Sequence, residues 1–289
     1  MALDQGQLDA LSAAVAEGTF EAAARYLHIT PSAVSQRIKA LETAVGRVLL
    51  TRTKPIHPTP PGQTLLRVAR QMQAITAEVA HELGTGSPDL KPVIPVAVNA
   101  DSLATWFLPA LAAVEQSCVF DLHRSDQDQT AELLRDGTVM AAVTTQAEPV
   151  PGCTVQRLGR MRYRARAAPS FAATWFPNGP TVAALAEAPL VCFDRKDQLQ
   201  DRYLRCRSRR RLDPPRHYVP GAGNYAQAIW LCLGWGMLPD LQAPPGELVD
   251  FDPEHHIDVT LFWQRWHIHT TLLDRLSEAV QRASVGKLR

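Results

Sequence analysis

The chain lacks any apolar run approaching the ~18 residues that a membrane span needs, and its mean hydropathy is −0.13. It is poor in cysteine. Cys118, Cys153, Cys192, Cys206 and Cys232 are odd in number, far apart and without a CxxC pair. That pattern argues against a disulfide framework or a structural zinc site. No excess of one charge is present either: 30 basic and 29 acidic residues leave +1, which excludes a uniformly polycationic nucleic-acid binder. GxSxG, GxxxxGK[ST] and HExxH motifs are missing, so hydrolase, P-loop and zincin chemistry have no support. With no nucleophile–base arrangement in view, the expectation is a protein that is not an enzyme, with no metal and no cofactor. The opening residues Met1–Gly6 lack the basic stretch and apolar core of a secretory signal. A reduced, cytoplasmic protein is expected.

What is present is globular: 289 residues, 46% apolar and 20% charged, enough for about two domains at ~150 residues each. Charge is unevenly placed. Residues 1–19 carry Asp4, Asp9 and Glu17 and no Lys or Arg, whereas residues 20–60 carry Arg25, Arg37, Lys39, Arg47, Arg52 and Lys54 against Glu21 and Glu42. A locally basic segment is what a small DNA-reading module needs. Leu8, Leu11 and Val15 recur at helical spacing up to Gly18. A second short helix follows from Phe20 to His28. Thr30-Pro31 then supplies a cap and a first-turn proline for a third helix with the stripe Val34, Ile38, Leu41, Val45 and a stop at Gly46. Three helices with a tight turn make a helix-turn-helix. Residues 47–58 lean to strand around Lys54-Pro55, a two-stranded wing. Thr59-Pro60 opens a long helix to about Leu83, whose apolar positions Leu65, Leu66, Met72, Ile75 and Val79 predict a dimerisation stripe too broad for so small a module.

After Gly84-Thr85-Gly86-Ser87-Pro88 the pattern becomes α/β. Strands are expected at 93–98, 118–123, 139–144, 190–193, 217–219 and 259–266, with helices at 102–116, 128–136, 224–233 and 270–285. Two lobes joined by crossover strands near 161–166 and 261–266 make a clamshell, with ligand loops at the strand ends. The expected division is 1–59 for the winged helix-turn-helix and 60–87 for the linker helix and hinge. The effector domain then spans 88–289, with lobe I at about 88–162 and 267–289 and lobe II at about 163–266. Arg160, Arg162, Arg164 and Arg166 alternate on a strand, which predicts one exposed basic face.

Phe20-Glu21-Ala22-Ala23-Ala24 through Leu27–Glu42, with Gly46 and Leu50-Thr51-Arg52-Thr53, resembles the signature of LysR-type transcriptional regulators. Asn99-Ala100-Asp101-Ser102-Leu103-Ala104-Thr105-Trp106, Pro149–Cys153, Leu233–Pro239 and Trp263-Gln264-Arg265-Trp266 resemble the branch that activates lysine and arginine exporters, the LysG/ArgP group. Two places depart from that branch: Ser125 stands where a second acid is common, and the segment Gly221–Tyr225 replaces a Ser-x-Glu-like loop.

The resemblance implies a winged helix-turn-helix joined by a long helix to a two-lobed, periplasmic-binding-protein-like α/β domain. It implies an activator of an amino-acid exporter gene, a homodimer or homotetramer on double-stranded DNA that meets RNA polymerase at the nucleoid. The DNA-contacting candidates are Thr30, Ser32, Ser35, Gln36, Arg37 and Lys39 on the third helix, with Arg52 and Lys54 on the wing. Candidates for a small amino-acid effector (lysine, arginine or histidine) are Asn99, Asp101, Ser102, Thr144, Asp126, Asp194 and Asn224. Backbone N–H groups at the helix start near Ser102 suit its α-carboxylate, and the aspartates suit its cations. The alternative is an effector-independent architectural or replication-control DNA-binding protein.

Overall fold

The computed structural model describes residues 3–51, 53–85, 91–114, 118–124, 127–242 and 248–289. Arg52, Ser125, Asp126 and the segment 86–90 therefore lie outside the described residues. Helix α1 (Gln5–Glu17) starts where the Asp4 carboxylate accepts the Gln7 N–H and ends on left-handed Gly18. In α2 (Phe20–Tyr26) Thr19 caps in the same way, accepting from Ala22. Helix α3 (Pro31–Val45) is capped by Thr30, whose hydroxyl accepts the Ala33 N–H, and stops at Gly46. The turn between α2 and α3 places His28 at φ 53°, a conformation rare for a residue with a side chain. Leu8, Leu11, Ala23, Val34, Ile38 and Leu41 bury together as the core of this module. Strands β1 (Leu50–Thr51) and β2 (His57–Pro58) pair antiparallel as the wing.

Helix α4 (Pro60–Glu82) corrects the expected dimerisation stripe. Leu65 and Leu66 are buried inside the chain's own N-terminal core, with Ala69, and Met72 packs against it. The module covers them because the first turn of α4 lies hard on the wing: a Cβ at Gly62 would meet the Leu49 carbonyl oxygen at 2.0 Å. Only the far end of the stripe faces outward, Ile75 at 42% and Val79 at 47% exposure.

Beyond the linker, β3 (Val93–Val98) leads into a helix that runs as α5 (Ala100–Ser102), a π-helical turn (Leu103–Phe107) and α6 (Leu108–Ala112). Next come β4 (Val119–Arg124), α7 (Gln127–Arg135) and β5 (Ala141–Thr144). β3 lies parallel to both β4 and β5. The chain then enters the second lobe along β6 (Cys153–Ala167), followed by α8 (Pro169–Trp175), α9 (Val182–Glu187), β7 (Leu190–Cys192), α10 (Leu199–Arg207), β8 (Arg216–Tyr218), α11 (Ala222–Trp230), β9 (Gly236–Pro239) and β10 (Val249–Asp250). It returns along β11 (His256–Trp266) and closes with α12 (Thr271–Ser284).

β6 and β11 are longer than expected and pair antiparallel from Arg164↔His256 to Cys153↔Trp266. Half-buried and exposed positions alternate over Cys153–Gln156, the alternation breaks at Arg157-Leu158 where the ladder shifts register, and it resumes from about Gly159. β5 continues the sheet on the first-lobe half of β11, while β9 and β10 pair with the second-lobe end of β6. Both lobes thus hang on one pair of strands.

The expected basic face of β6 is absent as such. Arg162 pairs with Asp258 at 2.8 Å, Arg164 with Asp240 and Asp250 at 3.0 and 2.9 Å, and Arg166 with Asp240 at 3.3 Å. The neighbouring strands and the loop after β9 bring carboxylates that the spacing of the arginines could not reveal.

The linker helix is seated on the first lobe. The Arg67 guanidinium donates to the Pro151 carbonyl at 2.5 Å, the Glu78 carboxylate accepts the Thr271 N–H, and a Cβ at Gly137 would meet Arg67 Cα at 2.9 Å. Because Leu66 belongs to the N-terminal core, Leu66→Ala is expected to cost that module about 2–5 kcal/mol. Hydrogen exchange at the Leu11 and Leu41 amides reads it directly. Unchanged protection would mean that the module closes without α4.

Candidate effector cleft and DNA-reading helix

A cavity of about 370 Å³ opens between the lobes, at the carboxyl ends of β3 and β7. That is where parallel α/β sheets bind ligands. Asn99, Ala100 and Asp101 form one wall, and the segment Phe193–Leu199 of the second lobe contributes the other. Tyr163 of β6, Val259 of β11, Met237 of β9 and Tyr225 of α11 line it between them. The π-helical turn follows the first wall immediately, a feature often found at functional sites, and the Thr105 hydroxyl takes the Asp101 carbonyl at 2.6 Å.

Asp101 accepts the Tyr163 hydroxyl on Oδ2 at 2.7 Å. Burial raises its carboxyl above the ordinary value of 3.8, the Tyr163 hydrogen bond pulls it back, and the charge of Asp197 adds to the rise. Burial also lifts Tyr163 and Tyr225 well above the usual tyrosine range. The Tyr225 hydroxyl accepts from the Gln200 amide at 2.8 Å and donates to the Met237 carbonyl at 3.3 Å. Gly236 makes room for it, since a Cβ there would stand 2.4 Å from that hydroxyl. Asn99 Oδ1 and Ser102 Oγ are shut off from solvent without a hydrogen-bond partner among the described residues. Asp101, Asp194 and Asp197 have no ion-pair partner among those residues, although Lys196 and Arg202 also line the cavity.

On α3, Ser32, Ser35, Gln36 and Lys39 are exposed, opposite buried Val34, Ile38 and Leu41. Arg37 is half-buried, its guanidinium beside Gly6 at the start of α1. The Thr30 hydroxyl is used as the helix cap, and Lys54 is exposed on the wing.

Residues 6–63 match the model of the bacterial regulatory helix-turn-helix protein, lysR family, and residues 92–284 match the LysR substrate binding domain. The chain belongs to the LysR family of transcriptional regulators. It is 42% identical to the lysine export transcriptional regulatory protein LysG of Corynebacterium glutamicum, over 98% of each chain. The crystal structure of ArgP from Mycobacterium tuberculosis superposes with a TM-score of 0.93 at 42% identity, covering 100% of this chain and 99% of that one. Full-length LysG from C. glutamicum with bound effector Arg gives 0.84 at 40% identity, covering 99% and 100%. The two-lobed LysR architecture is the one expected from the sequence.

Within this LysR regulator, the structure brings Asn99, Asp101 and Asp194 into one cavity, with Ser102 buried directly behind its first wall. It leaves two candidates out. Thr144 is buried, and its hydroxyl accepts the Gln146 N–H. Asn224 is exposed and turns back to the Pro220 carbonyl at 3.5 Å. Tyr163, Tyr225 and Gln200 were not singled out from the sequence. Tyr163 sits in an ordinary in–out strand pattern, and only its partner Asp101 distinguishes it.

A carboxyl whose folded pKa lies above its unfolded one costs stability wherever the unfolded chain is ionised. Asp101→Asn, which can still accept from Tyr163, is therefore expected to raise the ligand-free Tm at about pH 7.5. The gain shrinks as the pH falls toward the ordinary carboxylate value of 3.8. Thermal melts at several pH values check it; a loss of Tm at neutral pH would contradict the reading of Asp101 as a desolvated charge.

Proposed function

We propose that this regulator activates an amino-acid exporter gene in response to a basic amino acid held between its lobes. The observation that carries the reading is the cavity itself: carboxylates on both walls without a cation paired to them among the described residues. An ammonium or guanidinium taken from water needs such partners, because leaving a charge buried and unpaired costs several kcal/mol. The arginine bound in the similar C. glutamicum regulator supports that ligand class. The α-carboxylate is received by the backbone N–H groups of the helix start, which Asn99 leaves without a side-chain cap and where an anion is favoured, with Ser102 buried behind them. Asp194 offers the second wall a carboxylate oxygen, as its other oxygen holds two N–H groups of its own loop. A purely architectural DNA-binding protein would have no use for this cavity.

Ser32, Ser35, Gln36 and Lys39 read the major groove, Arg37 and Lys54 reach its edges, and Thr30 acts through the helix cap. Ile75 and Val79 continue at i+4 to Leu83, which is 71% exposed. A second copy of the chain covers this stripe, with pairs of dimers on DNA next to RNA polymerase. Residues 60–87 then serve as linker and hinge between the module at 1–59 and the lobes at 88–289. Calorimetry with the full chain tests the sensing role. Lysine, arginine or histidine should bind at least about tenfold, or ~1.4 kcal/mol, more tightly than leucine or glutamate. Preference for a neutral or acidic amino acid would overturn it.

A further inference from the structure

The three carboxylates of the cavity are not equivalent. Asp194 Oδ1 accepts the N–H groups of Lys196 and Asp197 at 2.6 and 2.9 Å, and Asp197 accepts those of Phe193 and Leu199 at 3.1 and 3.0 Å. Both shape the loop after β7. Asp101 receives the Tyr163 hydroxyl on Oδ2, and no other side-chain partner is found for it among the described residues. Beside it, Asn99 Oδ1 and Ser102 Oγ are buried and unpartnered, and Asn99 lines the same cavity.

The side chains that face the cavity here, the Asp101 carboxylate and the Asn99 amide with its unpartnered Oδ1, thus offer acceptors beside the backbone N–H donors of the helix start. A primary ammonium brings three N–H donors on one atom. In an α-amino acid, ammonium and carboxylate share one carbon, so the groups that receive them must be neighbours. The Asp101 carboxylate and the uncapped N–H groups of the helix start meet at the turn from β3 into α5.

We propose that Asp101 receives the effector's α-ammonium group, and that Asp197, on the wall contributed by the second lobe, is the counter-carboxylate that the same cation draws toward it. This rests on the reading of the cleft as an amino-acid site and adds which end of the ligand meets which wall. The ammonium then neutralises two like charges on opposite lobes, so an occupied cleft closes where an empty one repels. Asp101 must be ionised to take the cation. Around it stand Tyr163 from β6, Asp194, Lys196 and Asp197 from the loop after β7, Arg202 from α10 and Tyr225 from α11. Affinity falls as the pH drops through the Asp101 pKa, which burial holds above the ordinary value, and binding in that range releases a proton.

The test is a cycle on the full chain by calorimetry. Its probes are arginine and 5-guanidinovalerate, which keeps the carboxylate, the guanidinium and the carbon chain but lacks the α-ammonium. The wild type should bind arginine roughly 10- to 100-fold more tightly than the analogue, the effect of one charge-assisted hydrogen bond. Asp101→Asn should bring arginine down to the analogue's level and leave the analogue unchanged. Tyr163→Phe, which keeps the carboxylate but removes the bond that lowers its pKa, should move the pH at which arginine affinity falls upward. Equal weakening of both ligands by Asp101→Asn, or no weakening of either, overturns the assignment while arginine binding by the wild type keeps the sensing role. A wild type that binds neither arginine nor lysine removes both.

Discussion

The effector domain depends on the antiparallel pairing of β6 and β11. These two strands run through both lobes from Arg164↔His256 in the second lobe to Cys153↔Trp266 in the first, with one register shift where Leu261 pairs with Gly159 and Phe262 with Arg157. A hydrogen-bonded ladder resists shear along the strands but tolerates twist, so the lobes can rock about it without sliding. Its second-lobe end is fastened by Arg162–Asp258 and by Arg164 and Arg166 on Asp240. Its first-lobe end is fastened by Trp263, whose indole N–H donates to Ser277 of α12 at 3.0 Å. The cleft opens where the ladder leaves the two β–loop ends facing each other.

Tyr163 stands at the centre of that arrangement. It projects from β6 and donates to Asp101, which belongs to the first helix of the first lobe. The hinge ladder thus touches the effector wall through one hydrogen bond. A change in what Asp101 holds therefore reaches a strand that both lobes share. On the other side, the first lobe carries the linker helix through Arg67 on Pro151 and Glu78 on Thr271. On the proposed function, ligand and DNA are linked through contacting elements: wall, ladder, first lobe, α4 and winged module. A coupling of ~1–3 kcal/mol between the ends would be enough for a switch.

The N-terminal module was legible because its signals are short-range. Thr30-Pro31, Gly18 and Gly46 act within one turn of where they stand, and the structure uses each as a cap or stop. The stripe on α4 was legible as apolar but not by partner: periodicity says that Leu66 is covered, not by what, and the chain's own core covers it. The first half of β6 was hidden because the alternation is broken at Arg157-Leu158, where the ladder shifts register. Acidic loop residues were legible as candidates only. Whether an aspartate waits for a ligand or ties its own loop is decided by backbone N–H groups a few residues away, as Asp194 and Asp197 show. Tyr163 and the arginines of β6 take their roles from partners about 60 to 100 residues away in the chain, beyond the reach of any local pattern.

The central claim is that a cationic amino acid between the lobes and DNA on α3 are two ligands of one coupled structure. Coupling between binding sites is reciprocal. The most direct measurement is the Kd of arginine for the free protein and for its complex with an operator selected from random duplexes. The two values should differ, and by the same factor by which saturating arginine changes operator affinity, roughly 5- to 150-fold for ~1–3 kcal/mol. Arginine that binds equally well with and without DNA, while operator affinity and footprint stay the same, would contradict the account.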